Sequence, residues 1–290
     1  MTLSTTTQSP RYISTCPVGC PASLALTAFV MPEGPLLRCP HCAQLVSQCS
    51  EDLYWQSMQE FNDPRGTLPD TRSAARGFRR GKKYLDRINT LSGKSPADTR
   101  LLDVGCSSGA FLTTALKLGY AAEGVEPAER AAATAQASGL KVHRGLLHEA
   151  AYADARFDAV SLLEVIEHLK EPLPLLQEVH RILKPGGIFL IGTGNAASWS
   201  ARSFGAHWDY FKIAQHGGHI SFFNPKSMEK LAAQAGFSVA LLKTRSVRFG
   251  DRGNTSEPAY TLLKIAAELV NPLAAWWDQG EDMAVYLRKN

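Results

Sequence analysis

The sequence contains no run of the ~20 apolar residues that a membrane-crossing helix needs, and its first fifteen residues, MTLSTTTQSPRYIST, lack the apolar core of a secretory signal. A cytoplasmic protein is the expectation. Strong charge of one sign is also missing: 31 Lys and Arg stand against 27 Asp and Glu, a net +4, so bulk charge selects neither a nucleic acid nor a membrane as partner. With 20% of residues charged and 44% hydrophobic, the chain has enough apolar surface to bury, which excludes disorder over most of its length. Cysteine is scarce outside the amino-terminal region, and of the six only Cys106 lies beyond residue 49.

The early cysteines are organised. Cys16 with Cys20 and Cys39 with Cys42 form two close pairs, with Pro17, Gly19, Pro40 and His41 between their members. Each pair can close a tight knuckle and supply two thiolates, and the eighteen residues between Cys20 and Cys39 suffice for a hairpin. A structural zinc ion on Cys16, Cys20, Cys39 and Cys42 is expected, with His41 outside the ligand set and Cys49 and Cys106 as free thiols. The alternative is a disulfide framework, against which the missing secretory signal argues.

At 290 residues the chain exceeds a single core of about 100–200 residues, so two units are expected. The Ser- and Thr-rich residues 1–15 read as a mobile tail, 16–50 as the zinc ribbon, 51–95 as a helical linker and 96–290 as the main domain. A helix is predicted over Thr71–Thr90. Strands follow at 100–104, 121–126, 141–143, 158–163, 187–192, 237–246 and 282–288, with helices at 109–118, 127–138, 172–183, 226–236 and 258–276 between them. Such alternation implies a parallel sheet with helices on both faces, and ligands then sit beyond the carboxyl ends of the strands. The longest apolar stretch, Ala259 to Trp277, is interrupted by Lys264, Glu268, Asn271 and Pro272. It reads as an amphipathic helix with its apolar face buried, a membrane-surface role being the alternative.

The loops after the first two of these strands are chemically pointed. Gly105 and Gly109 let the backbone pass close to a ligand after Asp103, and Glu126 ends the next strand about 20 residues on, the spacing of a carboxylate that accepts two ribose hydroxyls. The strings Leu101-Leu-Asp-Val-Gly-Cys-Ser-Ser-Gly109, Gly124-Val-Glu-Pro127, Phe157-Asp-Ala-Val-Ser-Leu-Leu-Glu-Val-Ile-Glu-His168 and Leu183-Lys-Pro-Gly-Gly187 resemble, in order and spacing, class I S-adenosylmethionine-dependent methyltransferases. The resemblance covers roughly residues 85–245. It implies an α/β fold with a Rossmann-like seven-stranded, mostly parallel sheet, closed by an antiparallel hairpin, beside the small zinc ribbon. Ribbons of this kind also begin a subset of the same enzymes, including ones acting on nucleotide-linked sugars.

The resemblance also implies a site. Asp103, Gly105, Cys106 and Gly109 look like the turn around the methionine part and sugar of S-adenosylmethionine, with Ser107 where the family usually has glycine. Glu126 looks like the ribose ligand, Leu146 and Leu147 like the backbone contacts to adenine, and Glu164 like the group facing the methionine amino group. Glu167 with His168 looks like the family's recurring Glu-His step, and His216-Gly-Gly-His219 resembles a loop over the substrate pocket. A hydroxyl or carbon acceptor must lose a proton, so histidine is the natural base: His219 is the first candidate, His216 the second and His168 the third. The aromatic series Trp199, Phe204, Trp208, Tyr210, Phe211, Phe222 and Phe223 suits a cap over a small acceptor, whether sugar, phenolic or lipid-linked. Two alternatives stand beside this one. The basic cluster Arg72, Arg76, Arg79, Arg80, Lys82, Lys83 and Arg87 fits an RNA substrate, and Ser107 fits a cofactor-binding scaffold without turnover.

Overall fold

A computed structural model describes residues 10–59, 71–213, 217–251 and 255–290. The hairpin expected between the cysteine pairs forms. β1 (Ala25–Met31) pairs antiparallel with β2 (Gly34–Arg38), and β3 (Leu45–Val46) adds to β2. Helices α1 (Glu51–Gln59) and α2 (Thr71–Ser92) follow.

The main sheet is built from β4 (Arg100–Val104), β5 (Ala121–Glu126), β6 (Val142–Arg144), β7 (Phe157–Leu163), β8 (Leu183–Gly194), β10 (Phe237–Arg245) and β11 (Asp282–Lys289). Its order is β10-β11-β8-β7-β4-β5-β6, parallel from β8 to β6, with β11 antiparallel to both neighbours. The strands that bury both faces read as continuous apolar runs, as parallel strands must. Side chains alternate between two cores: Leu102, Val160 and Phe189 face one, and Leu101, Ala159 and Ile188 the other. On the first side pack α5 (Pro172–Ile182), which buries Leu176, Val179 and Ile182 at helical spacing, and α7 (Pro225–Gln234). Asn224 caps α7 by accepting the Ser227 N–H, while the Ser227 hydroxyl receives the Asn224 N–H.

Three expectations change here. Residues 10–15 are no tail: Ile13 is buried, Tyr12 stacks on Tyr54 with ring centroids 4.6 Å apart, and Arg11 bridges to Ser50. Nor is α2 a linker, because Leu85 and Ile88 are buried in the second core against Leu101 and Ile188. The ribbon is no separate bead either. Its β3 pairs antiparallel with β9 (Ser221–Phe222), and the four paired cysteines share a core with Phe223, Met228 and Leu231. A knuckle this small cannot bury its own apolar surface and borrows it from the larger unit.

Helix α8 (Glu257–Trp276), inserted between β10 and β11, also departs from expectation. Its core side carries Ala267, Val270 and Ala274, packed with Val247 and Phe249, while Leu262, Ile265, Leu269, Leu273 and Trp276 are exposed. Among the described residues no helix is long and apolar enough to cross a membrane. The basic cluster lies along α2, where residues 75–80 are exposed and Lys82 pairs with Asp86.

Candidate active site and zinc centre

Beyond β4 the chain turns through Gly105 and Cys106, whose N–H groups both donate to the Val125 carbonyl at 2.8 and 3.2 Å. Gly105 adopts φ +72°, and a Cβ there would come 2.4 Å from Val165 Cγ2, so glycine is required on both counts. Ser107, where the resemblance leads one to expect glycine, also takes the left-handed conformation, at φ +49°. Strain is therefore stored in this turn. Asp103 is buried and accepts the Ser161 hydroxyl at 2.7 Å; burial pushes its carboxyl up to about 7. Glu126, at the end of β5, accepts Ser107 N–H at 2.7 Å on one oxygen and Ala128 N–H at 2.8 Å on the other. Burial raises its pKa and the two amides oppose that.

Around these, Cys106 turns its thiol inward against Leu112 and Val142, so only its backbone faces the turn. Leu146 is exposed and Leu147 buried. The acid that sequence reasoning did not find in this loop is Glu149, whose carboxylate accepts the Leu146 N–H at 2.6 Å. The two residues lie in one 3₁₀ turn, and their i,i+3 spacing was the available signal.

A second group assembles beyond β7. Glu164 stands half exposed at φ +54°, 3.8 Å from the Arg80 guanidinium. Glu167 is fully buried and accepts the Thr193 hydroxyl at 2.9 Å and the Tyr210 hydroxyl at 2.6 Å. The Tyr210 oxygen also lies 3.2 Å from Glu164, so its one proton serves the nearer of two carboxylates. Burial, then the charge of Glu164, holds Glu167 well above the ordinary carboxylate range.

His219 is buried with Nε2 3.7 Å from Glu167 Oε1 and Nδ1 3.0 Å from the Tyr210 carbonyl. That carbonyl can only accept, which fixes the proton on Nδ1 and turns the Nε2 lone pair toward Glu167. His168 packs edge-on to His219 at 4.8 Å. Ligand atoms of Glu167, His168 and His219 lie within 4.8 Å of one another. The second candidate base, His216, lies outside the described residues.

The ribbon and α1 hold this group in place. Tyr54 donates to the His168 carbonyl at 3.0 Å, Gly218 N–H donates to Ser57 at 2.8 Å, and Ile220 connects Glu167 to Ser47 through its N–H and carbonyl. Gly218 approaches α1 so closely that a Cβ would meet Met58 Sδ at 2.3 Å. Of the expected aromatic cap, Trp208, Phe211, Phe222 and Phe223 are buried core instead, the first three in one cluster with Met31 of β1 and Leu36 of β2. Tyr210 alone in that series presents a hydroxyl to both carboxylates. Beside Trp208 opens a cavity of about 410 Å³, lined by Phe204, Arg248 and Phe249 among others and by none of these acids or histidines.

The four cysteines converge. Their sulfurs lie within 4.8 Å of one another, all buried, with Cys16 and Cys42 at 3.6 Å. Zinc–thiolate bonds of ~2.3 Å in a tetrahedron require sulfur separations of about 3.8 Å, so the set fits zinc. The knuckles turn through Gly19 and Ala43, both left-handed, and the three-residue first spacing closes as well as the two-residue second. Lys230 lies 3.2 Å from Cys20 Sγ and offsets thiolate charge, whereas His41 is exposed. All six cysteines are free of disulfides.

Residues 75–242 match the family model described as a methyltransferase domain. The chain is 35% identical over 147 residues to a ubiquinone biosynthesis O-methyltransferase of Cereibacter sphaeroides, covering 47% of this chain and 59% of that protein. It is 29% identical over 165 residues to the protein of that name from Thiobacillus denitrificans, covering 53% of this chain and 68% of the relative. The chain thus spans about three-fifths of the length of the first of these relatives. In fold it is similar to a SAM-dependent methyltransferase from Archaeoglobus fulgidus, with TM-score 0.53 and 19% identity over 81% of this chain and all of the other. The family model spans more than half of the chain, the sheet has the seven mostly parallel strands and antiparallel closing hairpin that the resemblance implied, and the chain belongs to the class I S-adenosylmethionine-dependent methyltransferase family.

Proposed function

We propose that this protein transfers a methyl group from S-adenosylmethionine to a hydroxyl of a small phenolic acceptor, one that carries a lipid chain. The observation that carries the reading is the pairing of two unlike groups: Glu126 in its amide cradle, and the cluster of buried Glu167 and His219 with half-buried His168. The acceptor class draws on relatives named for ubiquinone biosynthesis O-methylation.

Each Glu126 oxygen takes one amide and keeps lone pairs for a ribose hydroxyl, so the residues fit the cofactor. Asp103, Gly105 and Gly109 shape the turn beside it, and Glu149 closes the next loop on the Leu146 N–H. The cofactor supplies an electrophilic methyl group. This chain's residues orient the acceptor, exclude water and remove one proton. His219 Nε2 takes the hydroxyl proton as the methyl group passes to the oxygen, and the Tyr210 carbonyl, which accepts the Nδ1 proton, steadies the imidazolium.

A second reading is favoured by one observation, the mutual distances within the cluster. Glu167, His168 and His219 would hold a divalent cation that binds the acceptor oxygen and lowers its pKa. The test is transfer of labelled methyl to polyprenylated catechols and phenols, with short RNA and nucleotide sugars as comparison substrates, before and after chelator. Methylated phenol is expected; label in RNA or sugar, or in no acceptor at all, would overturn the reading. Activity that survives chelation assigns His219 as base, and activity lost while the ribbon keeps its zinc by metal analysis, then restored by magnesium, assigns the cation.

A further inference from the structure

The exposed side of α8 is regular. Leu262, Ile265, Leu269, Leu273 and Trp276 are 68, 50, 74, 44 and 77% exposed, and they follow at intervals of three, four, four and three residues. They form one stripe along the helix, on the side turned away from the Ala267–Ala274 seam that seats it. The spacing is the same read from either end, with Leu269 at its centre. No charged residue falls in the stripe: Glu257, Lys264 and Glu268 lie along one flank of it.

We infer that α8 is a docking surface for a second copy of this chain, crossing its own counterpart antiparallel on a two-fold axis through Leu269. Only an antiparallel, isologous pairing uses such a palindrome fully. It sets Leu262 opposite Trp276, Ile265 opposite Leu273, and Leu269 opposite itself. The five side chains expose roughly 600 Å² per copy, and exposed Ala266 and Trp277 at the margin bring the surface near the ~800 Å² a side of a standard interface. Trp276 and Trp277 are stacked on each other and Trp277 sits edge-on to Trp199, so the aromatic end of the stripe is held in place before any partner arrives. Lipid is the poorer occupant. A helix that lies on an anionic bilayer carries Lys and Arg along its polar side, and here two glutamates face one lysine.

Sedimentation equilibrium of the full chain tests this. Wild-type protein is expected to be dimeric at about 10 µM and above, and Leu269→Lys and Leu269→Glu each to weaken self-association at least about 100-fold, because each sets like charges together on the axis. Mixing the two variants should restore dimer, since unlike charges then meet at that one position. A monomeric wild type at about 100 µM, variants that remain dimeric alone, a mixture that remains monomeric, or dimers that disperse onto zwitterionic vesicles would each overturn the assignment.

Discussion

The cofactor-side turn and the acceptor-side cluster are assembled over different stretches of chain. Glu126 is held by amides two and nineteen residues away, whereas His168 is held from 114 residues away by Tyr54 and Gly218 from 161 residues away by Ser57. One region is turn chemistry at strand ends, which needs small residues and one acid at fixed offsets. The other is a tertiary construction in which the zinc ribbon extends its sheet through β9 and clamps the loop that carries His219. On the proposed reading the ribbon belongs to the acceptor side of the site, and the two sides should fail independently.

The largest separation is expected at His219. His219→Ala should lower turnover about 10²–10⁴-fold with cofactor affinity nearly unchanged, measured by single-turnover transfer beside calorimetry. Next is the ribbon. Cys39→Ser removes one of four thiolates, so zinc should fall well below one per chain by metal analysis. Turnover should drop about 10–100-fold as Ser47 and Tyr54 lose their hold, while cofactor affinity shifts by less than about threefold. A full equivalent of zinc in that variant contradicts the ligand set, and equal losses in both functions contradict the division.

Motifs of fixed spacing are legible in the amino-acid sequence by themselves. The cysteine pairs, the Asp103–Gly109 turn, Glu126, the succession of strands and helices along the chain and the Glu167–His168 step all depend on neighbours within one or two elements. Tyr54, Ser57, Thr193 and Tyr210 are not legible as hydrogen-bonding members of the site, because nothing local distinguishes a hydroxyl that reaches a distant partner in the fold from one in solvent. Trp208, Phe211, Phe222 and Phe223 mislead in the same way: their clustering along the chain is real, but the surface they cover belongs to the ribbon. In α8 Leu262, Leu269 and Trp276 are turned outward, and Ala267, Val270 and Ala274 take the core side.

Smaller effects sharpen the cofactor side. Asp103, at about 7, lies above the ordinary carboxylate value, so the native state holds that proton more tightly than the unfolded chain. Its contribution is fully present below ~4 and is lost as pH rises through ~7, at a cost of a few kcal/mol. Asp103→Asn should therefore raise the melting temperature at pH 8, with the gain shrinking toward pH 4; a gain independent of pH would contradict the assignment. Ser107→Gly relieves a left-handed serine and should stabilise by about 0.5–1 kcal/mol in denaturant titration. A loss of stability there would mean that the serine hydroxyl does more than fill the turn.

The most direct test is calorimetric titration of S-adenosylhomocysteine into wild type, Glu126→Ala and His219→Ala. Wild type should bind one equivalent. Glu126→Ala should bind about 10–100-fold more weakly, the ~1.5–3 kcal/mol of hydrogen bonds to a charged group, and His219→Ala should match wild type. No binding by wild type, or equal loss in both variants, would contradict a cofactor site on the β4–β5 side that is built separately from the acceptor cluster.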